Sequence, residues 1–341
     1  MNNNTPPQTA RPRRKLLLAA AATALVLVGG GAVGYTLVAR EDKPDCETVL
    51  SDATLQRSLG DAYREDMDCG ALGRAIKDAA TGSAPGRHTL PEARTVQATL
   101  AVVSEDIEQR HEPSIPADLR APLAATLADY AQDTYEILSG VNGEYTHRED
   151  SAPWQDGKTV RMSAHLDDLI NVMRAVSEDP AAYADLRAAH VRGCATHLAA
   201  VSTQATGSVY SGPARSCAAG LGHYDGIADD MPESGAEEWR SGVLQRLKTT
   251  AGSPPPYKVD RARHIAGSWQ QAVIERVDSD QTQFLKGDSS RIVGIWTGAR
   301  GDGIDTKRVN DLELTVASDA NSSTVETEGT LRCTRHPTEC G

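Results

Sequence analysis

From Leu16 to Ala39 the chain runs without a charged residue, directly after the basic cluster Arg11, Arg13, Arg14 and Lys15. As a helix this stretch is about 36 Å long, enough to cross a hydrocarbon core of about 30 Å with slight tilt. The pattern predicts one transmembrane helix over 16–39, with the basic tail 1–15 cytoplasmic and everything after Arg40 outside. A cleaved leader would have a shorter apolar core and a small residue where Leu37 stands. Arg13-Arg14 also fits a twin-arginine export signal, but basic-then-apolar is the general form of an uncleaved signal anchor. The expectation is a single-pass plasma-membrane protein with a polar, disordered tail at 1–15 and an extracytoplasmic C-terminal region.

Beyond the anchor, apolar positions recur mostly at helical spacing. Residues 47–63 read as a helix with Val49, Leu50, Leu55 and Leu59 on one side, and 69–80 as a second. Pro91 and Glu92 suit the first turn of a long helix carrying Val96, Leu100, Val103 and Ile107. Leu119, Leu123, Leu127, Tyr130, Thr134 and Ile137 mark another, which Pro122 starts late or kinks. Residues 141–158 read as a loop. The clearest stripe is Met162, Leu166, Leu169, Ile170, Met173 and Val176, and Asp179-Pro180 then caps a further helix through Ala205. Helices at 235–250 and 259–278 flank the stiff spacer Ser253-Pro254-Pro255-Pro256.

After Gly287 the texture changes. Arg291 to Thr297 is β-branched and aromatic, Leu312, Leu314 and Val316 alternate with polar residues, and Thr324 to Leu331 alternates weakly. This predicts a small antiparallel sheet at the C-terminus. The expected fold is mainly α: a helical bundle-like extracytoplasmic region after one transmembrane helix, divided into a juxtamembrane segment 40–90, a helical domain 91–253 and a C-terminal part 254–341.

Six cysteines, Cys46, Cys69, Cys194, Cys217, Cys333 and Cys340, all fall on the outer side, where an even number reads as disulfides. The spacings predict that neighbours pair: 46 with 69, 194 with 217, and 333 with 340. Each of the two longer loops removes roughly 3 kcal/mol of unfolded-state entropy if its bridge closes without strain. Residues 41–341 hold 30 basic and 47 acidic residues, a net charge of −17. That balance argues against nucleic acid or anionic lipid as a main partner. Phe284 is the only phenylalanine, so the core falls to Leu, Val, Ile and Ala. Arg outnumbers Lys 27 to 8, which points to a GC-rich coding genome and a bacterial source.

Motifs that carry chemistry are sparse. Gly30 and Gly34 form a small-residue face on which two membrane helices can approach closely, so a homodimer through the anchor is one expectation. The dinucleotide-like spacing of Gly29, Gly31 and Gly34 is void inside a membrane span, and Asp156-Gly157-Lys158-Thr159 lacks the first glycine of a phosphate loop. Cys194, His197, Cys217 and His223 draw a zinc site on paper, though an oxidising compartment favours the disulfide. Glu108 with His111 and Glu144 with His147 share the Glu-x-x-His spacing of di-iron bundles, and His165 with Asp168 is a weaker metal pair. Asp302, Asp305, Asp311 and Glu313 faintly resemble a calcium loop without its glycine. Arg300-Gly301-Asp302 has no meaning until a receptor is known.

No nucleophile elbow occurs, and the pairing above leaves no free thiol. The reading is a membrane-anchored extracytoplasmic binding or interaction module without chemistry, cofactor or metal, its partner an envelope protein or a small ligand. Two alternatives stand beside it: a metal-dependent enzyme using the His, Glu and Asp pairs, and an assembly protein dimerising through the anchor.

Overall fold

Helix α9, Pro180–Ala200, carries small and apolar residues around most of its circumference, and a helix without a broad polar face has to be surrounded. It starts as expected, with Asp179 accepting from the Ala181 amide at 2.9 Å and proline in the first turn. It ends at Ala200 rather than Ala205. The computed structural model describes residues 45–82, 84, 86–276, 285–301 and 305–340. The expected membrane helix 16–39 and its Gly30–Gly34 face lie outside them, as do the tail 1–15, Phe284 and Asp302. Among the described residues no helix is long and apolar enough to cross a membrane.

The helices packed most closely on α9 are α5 (Ala117–Asp129), α6 (Ala131–Ser139), α10 (Gly207–Asp229), α11 (Ala236–Thr250) and α12 (Arg261–Arg276). Ahead of them come α1 (Glu47–Ser51), α2 (Ala53–Leu59), α3 (Cys69–Ala80) and the long α4 (Leu90–Arg110), which α8 (Leu166–Val176) crosses. The helix expected over 47–63 breaks at Asp52, whose carboxylate takes the Thr54 and Leu55 amides and so caps α2 instead. Thr89 and Glu92 form a capping box on α4. One hydrophobic core runs from Val49 to Ala320, and residues 43–341 form one compact unit.

The loop expected at 141–158 contains a short helix α7 (Gly143–Thr146) and the first strand of a hairpin, β1 (Trp154–Asp156) with β2 (Thr159–Arg161). Asp156 faces Thr159, and Gly157 sits between them with φ +58°, the left-handed geometry of a two-residue hairpin turn. The Asp-Gly-Lys-Thr string is thus a turn.

Among the described residues the C-terminal sheet is not formed; those of 288–335 fold as α13 (Asp288–Arg300) and α14 (Thr306–Arg335). The buried positions of α14, Leu312, Val316, Ala320, Ser323, Thr327, Leu331 and Thr334, recur every three or four residues, and Leu314 is 72 % exposed. The local alternation of Leu312, Leu314 and Val316 was therefore one helical face with an outlier.

Helix α10 is not among the expected helices; it is rich in glycine and contains Pro213, yet Tyr210, Ala214, Cys217, Leu221 and Tyr224 recur at helical spacing on its buried side. Its glycines are contact points. A Cβ at Gly222 would overlap the Ala320 carbonyl, and one at Gly226 would stand 2.7 Å from the Thr327 Cβ. The α10 and α14 backbones touch there, and the Thr324 hydroxyl donates to the Gly222 carbonyl at 3.0 Å.

The three cysteine pairs are Cys46–Cys69, Cys194–Cys217 and Cys333–Cys340, as spacing predicts. The first joins the start of α1 to α3, the second staples α9 to α10 in the core, and the third ties the end of the chain to α14.

Candidate functional site

An open concavity lies between α9 and α12, with a cavity volume of about 390 Å³. Helical spacing builds its two walls: Ala188, Val191 and Arg192 on α9, and Ala262, Arg263, Ala266, Gly267 and Gln270 on α12. Small side chains give it depth, and Trp269, 1 % exposed, is the bulky residue at its base. The third side is the segment 250–255. Pro254 lies against Gly267, where an added Cβ would come within 3.0 Å of it. His264 Nδ1 pairs with the Pro255 carbonyl at 2.8 Å, and Gln270 Nε2 donates to the Leu247 carbonyl and the Thr250 hydroxyl. Proline stiffness and these pins hold the wall in place.

The charge of this groove is opposite to that of the chain. Arg192 and Arg263 are exposed on its rim and form no salt bridge with any described residue. No carboxylate, imidazole or thiol lines it. It can hold an anion against an apolar base, and its other polar side chains are the hydroxyls of Thr196, Thr250 and Ser253 and the Gln270 amide.

A second cavity, about 310 Å³, lies between α4, α8 and the end of α14, lined by Glu108, His111, Asp167, Asn171, Thr330 and Thr334 among others. Its polar groups bond to each other. Asn171 donates to Ser104 and Glu108 and accepts from Thr334 at 2.9 Å, while Thr330 donates to Asp167 at 2.7 Å. Burial, then the neighbouring Asp168 and Asp167, push the Glu108 carboxyl upward, and burial does the same to Asp168.

Of the pairs singled out by spacing, Glu108 and His111 both line this second cavity, and the others are engaged elsewhere. His111 ends α4 in the left-handed conformation, φ +55°. Glu144 reaches Arg148 at 3.4 Å, and His147 closes onto the Gly143 carbonyl. His165 binds Asp150 at 2.8 Å and Glu149 at 3.6 Å. Asp305 caps α14, and Asp311 pairs with Lys307. The paper zinc site is overturned: Cys194 and Cys217 bond to each other, His197 stacks on Tyr135, and His223 Nδ1 meets the Thr327 hydroxyl at 2.8 Å. Among the described residues no group of three or more His, Cys, Asp or Glu side chains can hold a metal.

Buried titrating groups lie apart from both cavities and set the pH response. Burial pushes Asp133 up to about 7, although Tyr145 donates to it at 2.6 Å and Arg161 stands 3.8 Å away. Burial pushes His190 down to about 3 and His223 to about 4. Between pH 4.5 and 6 the unfolded histidines carry protons that the folded ones lack, so they make stability rise with pH. Asp133 keeps a proton that its unfolded form has lost, so it makes stability fall with pH until about 7. Asp133→Asn should therefore steepen the acid-side rise by about 1 kcal/mol per pH unit. Urea titrations at pH 4.5, 5.5, 6.5 and 7.5 measure this, and parallel curves for wild type and variant would refute it.

Arg192, Arg263 and Trp269 were not visible as a set, because they meet only through the packing of α12 on α9. The one local signal was the proline spacer that became the third wall. No protein-family model matches the chain, and no curated protein or solved structure matches it.

Proposed function

We propose that residues 43–341 are an extracytoplasmic binding module, held at the outer face of the plasma membrane by the 16–39 helix, and that the α9–α12 groove is its ligand site. One observation carries the reading. The α9–α12 concavity is apolar at its base and cationic at its rim, and no carboxylate, imidazole or thiol lines it. The disulfides support it by fixing the scaffold outside a reducing compartment, and the basic flank of the apolar run supports the orientation.

A fragment screen on the full-length protein in zwitterionic nanodiscs tests this, read on the Trp269 indole signal identified through Trp269→Phe. Hits should act on Trp269 and disappear in Ala266→Trp, which fills the groove while the melting temperature holds. Fragments that gather elsewhere, or that bind the filled variant equally, would contradict the assignment.

A further inference from the structure

We infer that the α9–α12 groove takes a monoanionic carboxylate carried on an apolar body, an inference that rests on the groove being the ligand site. Arg192 and Arg263 approach the same concavity from opposite helices, and each presents a guanidinium fork with no carboxylate bound to it among the described residues. Several other arginines are matched, Arg215 with Asp319 at 2.8 Å, Arg246 with Asp185 at 2.8 Å and Arg174 with Asp230 at 2.5 Å, and what sets Arg192 and Arg263 apart is that both line one concavity that holds no carboxylate. In a region with 17 more acids than bases, two unmatched arginines at one groove are a local reversal. A planar fork binds a carboxylate through two parallel hydrogen bonds, which gives orientation as well as attraction.

The rest of the lining decides what accompanies the charge. Ala188, Val191, Ala266 and Pro254, over Trp269, offer an apolar bed with room for a short branched chain. Polar side chains there are largely occupied: the Thr196 hydroxyl donates to the Arg192 carbonyl, and Gln270 is held by Leu247 and Thr250. Two guanidinium forks could supply donors enough for a phosphate dianion, but the apolar bed offers its remaining oxygens no partner. The dianion would also meet twice the long-range repulsion from a net charge of −17. A singly charged head on an apolar body fits both constraints. Such a head can belong to a small organic acid or to the free C-terminus of a peptide with an apolar last residue.

The test uses the full-length protein in zwitterionic nanodiscs and matched probes: 4-methylpentanoate, 4-methylpentanamide, isopentylamine, inorganic phosphate, and the peptide acetyl-Gly-Ala-Leu as free acid and as amide. The Trp269 indole resonance reports binding. The acids should shift it at least about tenfold more tightly than their amides, and Arg192→Gln and Arg263→Gln should each weaken them by about tenfold or more. Both arginines are exposed, so these variants keep the fold, and Arg263→Lys should recover only part of the loss. Tighter binding of 4-methylpentanoate than of the peptide acid identifies a small-molecule ligand, and the reverse identifies a peptide terminus. Amide, amine or phosphate binding as tightly as the acids would overturn the carboxylate inference while leaving the groove as the site. If no probe of any charge moves Trp269, the groove assignment itself fails.

Discussion

Replacing Arg187 by methionine should destabilise the outer region by about 3–5 kcal/mol in urea titration at pH 7, among the largest effects a single change can have here. The side chain is fully buried in the middle of α9. Its guanidinium gives Nε and Nη2 to Asp288, Nη2 to Asp225 at 2.7 Å and to the Leu285 carbonyl at 2.8 Å, and Nη1 to the Tyr183 hydroxyl at 2.6 Å. One cation thus ties α9 to α10 and to the start of α13. Methionine fills similar volume but leaves Asp225 charged in a site where burial already pushes its carboxyl upward. Asp288 keeps Arg291 as a partner. The loss should shrink as pH falls, because Asp225 then takes a proton and no longer needs the cation. Adding Asp225→Asn and Asp288→Asn should return much of the loss at neutral pH. A cost below about 1 kcal/mol, or one independent of pH, would mean that the network is not stabilised as its geometry indicates.

Gly222→Ala should cost about 3 kcal/mol or more, above the usual range for added core volume, because the new atom meets backbone and not a movable side chain. The Ala320 carbonyl cannot rotate away without moving α14. Separation of α10 from α14 would break the Thr324–Gly222 bond and loosen the Gly226–Thr327 contact one turn on. It would also disturb His223, whose partner Thr327 is on the same face. Gly212→Ala on the same helix is the control, since nothing lies within 4 Å of an added Cβ there. That variant should be neutral or slightly stabilising through helix propensity. Thermal melts of the two variants measure the difference, and equal melting temperatures would refute close backbone packing.

The same glycines explain what periodicity could and could not read. Helices α3 and α8 and the start of α9 announce themselves through apolar stripes and caps, and equal spacing of 23 residues foretells two disulfides. Helix α10 carries a stripe of Tyr210, Ala214, Cys217, Leu221 and Tyr224, but Pro213 and the glycines at 220, 222 and 226 mask it as loop-like sequence. Helix α14 was misread because its partner contacts use Ala320, Ser323 and Thr327. With so few large apolar residues on that face, a short alternation at 312–316 dominated the pattern. The candidate site was less legible still. Its two arginines stand far apart in sequence on separate helices, and neither belongs to a motif. Conversely, the Glu-x-x-His and Cys/His spacings were visible in part for other reasons: Glu108 and His111 share the second cavity, while Glu144, His147 and the Cys/His set are used by local pairs and a disulfide.

The account rests on a disulfide-braced module that binds without metal chemistry, and one sample can test it directly. Full-length protein purified from an oxidising compartment without chelator should be assayed for iron, zinc and manganese beside a free-thiol count under denaturing conditions. The account predicts no stoichiometric metal and no free thiol. Metal at one equivalent per chain, or thiols at Cys194 and Cys217, would contradict it and return Glu108, His111, His165 and Asp168 to the centre of the question.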